Sequence, residues 1–255
     1  MGAIDFDLVA RRLVTVHSEP FFKHGDQGSF FADGVSIGNC YEADGQVYML
    51  FMGWQAPNDG HWRGDIGRIS VNDDLQLTLD GSTDYPFMAS DAEDPISLSY
   101  PWVLPGPKQG FDMWYGSTIS WTSGNDEMVH VIKHASSEDG HAWKRNGIAV
   151  PFQEGVAQAF SRPSVIRKAD GSLEMWFSYR SGTGTPYRIG YAQSFDHGQT
   201  WKLALNFAGL SVSEHGWDSE MIEYPYVFEH NGQMYMLYNG NGYGKTGIGL
   251  AILEN

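Results

Sequence analysis

The stretch P-Y-V-F-E-H-N-G-Q-M-Y-M-L-Y, residues 225–238, decides how this chain is read. An aromatic and β-branched run meets Asn-Gly and resumes as a second run of Met and aromatic residues. That is the pattern of two strands joined by a tight turn. Upstream, the same pattern occurs three more times, as N-C-Y-E-A-D-G-Q-V-Y-M-L-F (39–51), P-W-V-L-P-G-P-K-Q-G-F-D-M-W-Y (101–115) and P-S-V-I-R-K-A-D-G-S-L-E-M-W-F (163–177). The second-run methionines, Met49, Met113, Met175 and Met236, lie 64, 62 and 61 residues apart. The first-run markers, Cys40, Val103, Val165 and Val227, lie 63, 62 and 62 apart. Two markers holding one period identify an internal repeat.

A third strand pattern follows in each unit: D-I-G-R-I-S-V (65–71), V-H-V-I-K-H-A-S (129–136), Y-R-I-G-Y-A-Q-S (187–194) and T-G-I-G-L-A-I-L (246–253). No stretch of a dozen residues carries helical periodicity. All-β units of this length, each with about four strands, indicate a β-propeller. The expected units are roughly 28–80, 92–146, 157–205 and 217–255 of a single domain over 1–255, with residues 3–14 as a closing or leftover outer strand. The string S-F-D-H-G-Q-T-W (194–201) matches the Asp-box pattern S-x-D-x-G-x-T-W, and S-E-D-G-H-A-W (137–143) is a shortened version. In such turns the carboxylate accepts backbone N–H groups, so Asp196 and Asp139 read as turn formers and not as catalysts.

Charge narrows the function. Sixteen Lys and Arg against 31 Asp and Glu leave a net charge of −15, the wrong sign for tracking nucleic acid or an anionic membrane. No apolar run is long enough for a membrane span, and no basic-then-apolar leader opens the chain, so a cytoplasmic location is expected. Cys40 is the one cysteine, which excludes an internal disulfide and a Cys-based zinc cluster. Neither an H-E-x-x-H string nor an Asp-rich calcium loop occurs, so no metal or cofactor is expected.

Candidate site residues follow from the register. In a propeller the innermost strands line a central channel, and their starts face the pocket. Counted back from the first-run markers, Asp33 and Glu220 lie seven residues before, Asp94 and Asp218 nine, and Ser36, Ser99, Ser161 and Glu223 four. Carboxylates thus recur at or ahead of the inner strands of three units. Such groups suit glycoside cleavage, where a protonated acid serves the leaving oxygen and a carboxylate activates water or attacks the anomeric carbon. Arg162 sits three residues before Val165, where Tyr100 and Tyr224 stand in neighbouring units. It is expected to pair with a pocket carboxylate or with a substrate carboxylate or phosphate. Arg180 and Arg188 are further candidates, each readable instead as an intrablade ion pair. His130 reads either as a pocket residue or as a satisfied structural histidine. Trp54, Trp62 and Trp121 fall between strand patterns, where flat rings stack on sugars. Asn239 and Asn241 lie in a glycine-rich loop that suits either close approach to a ligand or a plain hairpin turn.

The strings F-A-D-G-V (31–35), S-R-P-S-V-I (161–166), S-Y-R (178–180), Y-R-I-G-Y-A (187–192), W-D-S-E-M-I-E-Y-P-Y-V-F (217–228) and Y-N-G-N-G-Y-G-K-T-G-I-G (238–249) carry a resemblance over nearly the whole chain. It resembles the five-bladed propellers of the arabinanase, invertase and levansucrase superfamily, most of all bacterial glycoside-hydrolase-like proteins. The resemblance implies five blades, of which this chain supplies four complete four-stranded ones with the first absent or incomplete; a closed four-unit ring is the alternative. It also implies a carbohydrate-active, glycoside hydrolase-like protein with a third carboxylate that orients the sugar. On that basis Asp33 is the expected base or nucleophile, Glu223 or Glu220 the acid, and Asp94 the orienting group. Arg162, Arg180, Tyr100, Tyr224, Asp218, His130, Trp54 and Asn239 are the expected substrate contacts. The superfamily often carries Arg-Asp-Pro where this chain reads S-R-P. Two alternatives follow: a non-catalytic glycan-binding or scaffold propeller and, more weakly, a glycoside phosphorylase. The expected partner is a small-molecule carbohydrate or glycoconjugate, with a homodimer as a further option.

Overall fold

A computed structural model describes residues 1–58 and 60–254. Among these there is no α-helix; seventeen strands and one 3-10 turn (Leu205–Phe207) make up the regular structure. Contacts divide the chain into two compact units, Met1–Ala89 and Ser90–Asn255.

The first unit holds β1 (Ile4–Asp7) and β2 (Arg12–Val16), and a sheet of β3 (Gly34–Ala43), β4 (Gln46–Gln55), β5 (Arg63–Val71) and β6 (Leu77–Leu79), paired in that order. Its core is phenylalanine-rich, with Phe30, Phe31 and Phe51 in mutual ring contact and Ile69 beside them. Residues 3–14 are not a lone outer strand. They fold back on themselves as the β1–β2 hairpin, because the Asp7 carboxylate accepts the N–H groups of Val9 and Ala10 and closes a turn there.

The second unit holds three sheets. Strands β7 (Ser97–Pro105), β8 (Phe111–Ser120), β9 (Val129–Ser137) and β10 (Lys144–Ile148) pair in order. So do β11 (Ala159–Arg167), β12 (Leu173–Arg180), β13 (Arg188–Ser194) and β14 (Lys202–Leu203). A single parallel bridge, Ala159 to His130, links the two. The third sheet, β15 (Glu223–His230), β16 (Gln233–Asn239) and β17 (Ile248–Ile252), has three strands among the described residues instead of four. Large apolar side chains fill the space between successive sheets. Trp102, Trp114, Phe160, Phe177 and Trp201 form one cluster, and Trp176, Tyr191, Ile222, Val227 and Met236 the next. Burial of this kind is the main force holding sheets face to face.

The two sequence markers are cross-strand partners in every unit: Cys40 with Met49, Val103 with Met113, Val165 with Met175 and Val227 with Met236. Just ahead of the marker, each first strand carries a bulge of two residues against one: Gly38–Asn39, Tyr100–Pro101, Arg162–Pro163 and Tyr224–Pro225. In the last three the second residue is proline, which lacks the N–H that a ladder needs, so the pairing must break there. Tyr100, Arg162 and Tyr224 accordingly adopt left-handed conformations, with φ of 38°, 49° and 56°. Non-glycine residues held this way mark places where a bulge re-aims a side chain. In β3 the bulge falls one residue closer to the marker, so Ile37 and not Ser36 is its counterpart of Ser99.

The two S-x-D turns are closed by their own side chains. Asp196 accepts from Ser194 Oγ and Thr200 N, and Trp201 Nε1 donates to the Gly198 carbonyl. Asp139 accepts from Ser137 Oγ and the N–H groups of His141 and Ala142, which draw its pKa down to about 2.

Candidate functional site

The repeat itself supplies a test of each candidate, because a residue type that recurs at one register position has a structural role to fill. Asp94 and Asp218 occupy the same position in their units. Each accepts a hydrogen bond from the tyrosine opposite the bulge, Tyr115 at 2.8 Å and Tyr238 at 3.0 Å. The middle sheet has Phe177 opposite its bulge and Val156 at the matching position, so hydroxyl and acid are absent together. These aspartates pin the chain entering the first strand. Asp94 is 0 % exposed and also takes Ser117 Oγ at 2.5 Å, Lys133 Nζ at 2.7 Å and Arg145 at 2.6 Å. Burial opposes its charge, but Lys133, Ser117 and Tyr115 outweigh that and hold its pKa below the usual carboxylate range. With both oxygens engaged inside the sheet, Asp94 is placed as an internal anchor, not as a group that orients a sugar.

Of its two readings, His130 takes the structural one and not that of a substrate contact. It is 2 % exposed, with Nε2 on Ser99 Oγ at 2.6 Å and Nδ1 on Thr118 Oγ1 at 2.7 Å. Gly116 leaves room for it, since a Cβ there would stand 2.4 Å from His130 Nε2. Burial lowers its pKa to about 3. The unfolded histidine binds a proton near pH 6.5, so stability is lost as pH falls below that value, by about 1.4 kcal/mol per unit for one such group. Denaturant titrations between pH 6.5 and 4 are expected to show a shallower acid-side loss in His130→Gln than in the parent. Equal slopes would remove this role.

Glu220 lies on the surface. Its backbone is fixed, with its N–H on Asn241 Oδ1 and its carbonyl accepting from Arg188, while its side chain is exposed. Asn241 thus serves the segment before β15. In the first unit, Asp33 is exposed; its Oδ2 accepts from Ala56 N at 2.7 Å and its N–H donates to the Trp54 carbonyl. Trp54 is not in a loop but near the end of β4, half-buried, its ring lying where a Cβ on Gly34 would stand.

The remaining candidates converge. Glu223 opens β15 at the position that is Ser99 in β7 and Ser161 in β11. Its residue is 0 % exposed, and neither carboxylate oxygen has a hydrogen-bond partner among the described residues. Burial pushes its pKa up to about 8, against the pull of the Arg162 and Arg180 guanidinium groups. A lone buried carboxyl is costly, and a protein keeps one where its proton has work to do.

Around it stand the residues of the bulges. Arg162 Cζ lies 4.9 Å from the Tyr100 ring centroid and 5.0 Å from that of Tyr224, and the two tyrosine hydroxyls are 3.3 Å apart. The Tyr224 N–H is held by Ser178 Oγ at 2.7 Å. Arg180 stacks on Tyr187 at 4.9 Å and donates to Glu127 Oε1 at 2.9 Å. Asn239, the ladder partner of Glu223, donates to the Tyr243 carbonyl at 3.3 Å and so folds the glycine-rich loop. Tyr243, 56 % exposed, brings its ring to 6.3 Å from Tyr187 and 6.5 Å from Tyr224. Burial raises the pKa values of Tyr187 and Tyr224, so both hydroxyls stay protonated. Glu127, Tyr187 and Tyr243 were not candidates from the sequence; they come from strand ends and loops outside the first-strand register.

The arrangement therefore offers one neutral carboxylic acid, two guanidinium groups and a wall of tyrosines. No family model matches the chain. Over 257 residues it is 39 % identical to the uncharacterized proteins Rv1502 and MT1551 of two Mycobacterium tuberculosis strains, spanning 100 % of this chain and 83 % of theirs. The chain belongs to the Rv1502 family.

Solved structures similar to this family member share its architecture at low identity. One described as a glycoside hydrolase has a TM-score of 0.70 at 17 % identity, over 90 % of this chain and 72 % of that one. A structure from work on the GH130 family of mannoside phosphorylases, containing glycoside hydrolases that target β-1,2 mannosidic linkages in Candida mannan, reaches 0.65 at 16 %, over 99 % and 77 %. A putative glycoside hydrolase from Parabacteroides distasonis reaches 0.65 at 17 %, over 100 % and 79 %. The fold is that of the β-propeller glycoside hydrolases.

Proposed function

We propose that the chain is a glycoside hydrolase-like enzyme in which Glu223 donates a proton to the oxygen of a scissile glycosidic bond. The observation that carries this reading is the Glu223 carboxyl: buried, without a hydrogen-bond partner and held protonated at neutral pH. A general acid needs a pKa near the working pH, and desolvation is the usual way to raise one. It also departs from the repeat, since the other two sheets of its unit carry a serine at its position. Tyr100, Tyr224, Tyr187 and Tyr243 supply flat apolar faces with polar edges, suited to a sugar ring. The fold shared with glycoside hydrolases and mannoside phosphorylases supports a carbohydrate substrate.

The test is incubation with a panel of aryl glycosides and oligosaccharides, with released sugar measured by chromatography. At least one substrate is expected to be cleaved by the parent chain and not by Glu223→Gln. Asp94, expected to orient the sugar, is spent inside its sheet. That observation favours, as a second reading, a propeller that binds a glycan without cleaving it. Saturable binding with no product across the panel would establish that reading and end the first.

A further inference from the structure

We propose that Arg162, with Glu223, Tyr100 and Tyr224 around it, forms a subsite for an oxyanion, a phosphate or carboxylate group that accompanies the sugar. This rests on the carbohydrate reading above and names the chemistry of the group bound there. Three observations on Arg162 carry it.

First, the position is built for presentation. Tyr100, Arg162 and Tyr224 are the left-handed residues of three equivalent bulges, each followed by proline. Two carry tyrosine and the middle one carries arginine, so the guanidinium is a departure from the repeat at a residue whose backbone is strained to hold it. Second, no carboxylate pairs with it among the described residues. The guanidinium is flanked by two rings, at 4.9 Å and 5.0 Å, and Nε is buried with no hydrogen-bond partner. No ion pair to Arg162 occurs among the described residues, whereas Arg180 beside it is engaged with Glu127. Stacked rings fix an arginine without consuming its in-plane donors, which leaves the fork free for a bidentate oxyanion. Third, the adjacent acid does not neutralise it, because both Glu223 oxygens also lack partners. Among the described residues, the charged and titratable groups facing this spot are Arg162, Arg180, Glu127 and Glu223, with the hydroxyls of Tyr100, Tyr187, Tyr224 and Tyr243. With Glu223 neutral they sum to one uncompensated positive charge, in a chain that carries −15 overall.

Binding measured by calorimetry on the full chain tests this with four probes: inorganic phosphate, a hexose 1-phosphate, glucuronate and the neutral hexose. At least one anionic probe is expected to bind at least tenfold more tightly than the neutral hexose. Arg162→Gln should abolish that preference, and Arg162→Lys, which keeps the charge but loses the fork, should recover only part of it. Affinity should also fall between pH 6.5 and 9 as Glu223 ionises beside the anion, a dependence that Glu223→Gln removes. Preferential binding of hexose 1-phosphate or glucuronate would place the anion on the sugar; phosphate binding that strengthens neutral-hexose binding would make it a separate co-substrate. No preference for any anion over the neutral hexose would overturn the proposal, as would a preference unchanged in both arginine variants. Anion binding without turnover of any glycoside would leave the subsite standing and remove the enzyme reading instead.

Discussion

Glu223→Gln is expected to lower kcat by about 10²- to 10⁴-fold, the range that a positioned general acid contributes. The same substitution should alter stability in the opposite sense, and the pH dependence follows from the carboxyl's environment. The folded pKa, at about 8, lies above the 4.5 of a solvent-exposed glutamate. Between those values the folded state holds a proton that the unfolded state has released, so this residue's contribution falls as pH rises from about 4.5 to 8. Glutamine has no such term. Glu223→Gln should therefore match the parent near pH 4 and exceed it increasingly toward pH 8, by on the order of 1 kcal/mol per pH unit. Urea denaturation at a series of pH values reads this directly. A variant that loses both turnover and stability at every pH would be simply misfolded, and the catalytic reading would lose its support.

The largest loss of stability is expected from Asp94→Ala. It removes the shared partner of Lys133 and Arg145 at a site with no solvent to replace it, and strips acceptors from Tyr115 and Ser117. Breaking one side of a buried ion pair typically costs about 3–5 kcal/mol. In a chain of this size that corresponds to a fall in Tm of roughly 10 °C. Asp218→Ala offers the control, since Asp218 occupies the equivalent position but, among the described residues, its side chain accepts from Tyr238 with no ion pair. It should cost about 1–2 kcal/mol, the scale of a single buried hydrogen bond. Thermal melts of the two variants should therefore differ widely. Similar small losses in both would show that the Asp94 cluster is not the anchor described here.

The repeat was legible because side-chain alternation and turn residues are local properties, and Met49, Met113, Met175 and Met236 all answer to the same ladder position. The site was legible only in part. Counting back along the first strand finds every carboxylate at a recurring position, yet it cannot tell a recurring strut from a lone functional group. Asp94 and Asp218 recur because a tyrosine opposite each bulge needs an acceptor. Glu223 and Arg162 matter for the reverse reason: each replaces the residue type its neighbours use. Comparing repeats for departures, instead of for recurrence, would have separated them. Glu127 could not be found this way, since it lies between β8 and β9 and meets Arg180 only through the fold. The β1–β2 turn was hidden for a plainer reason. Residues Leu8–Arg11 contain no Gly, Pro or Asn, and the turn is set by the Asp7 carboxylate and by Arg11 at φ 53°.

The central claim is that the Glu223 proton goes to the leaving oxygen of a glycoside. Turnover of one sugar on two leaving groups, an unactivated alcohol and dinitrophenol, in the parent and in Glu223→Gln, tests it most directly. Dinitrophenolate departs without protonation, so the variant's deficit should be about a hundredfold or more on the alcohol and only a few-fold on dinitrophenol. Equal deficits on both substrates, or none on either, would contradict it.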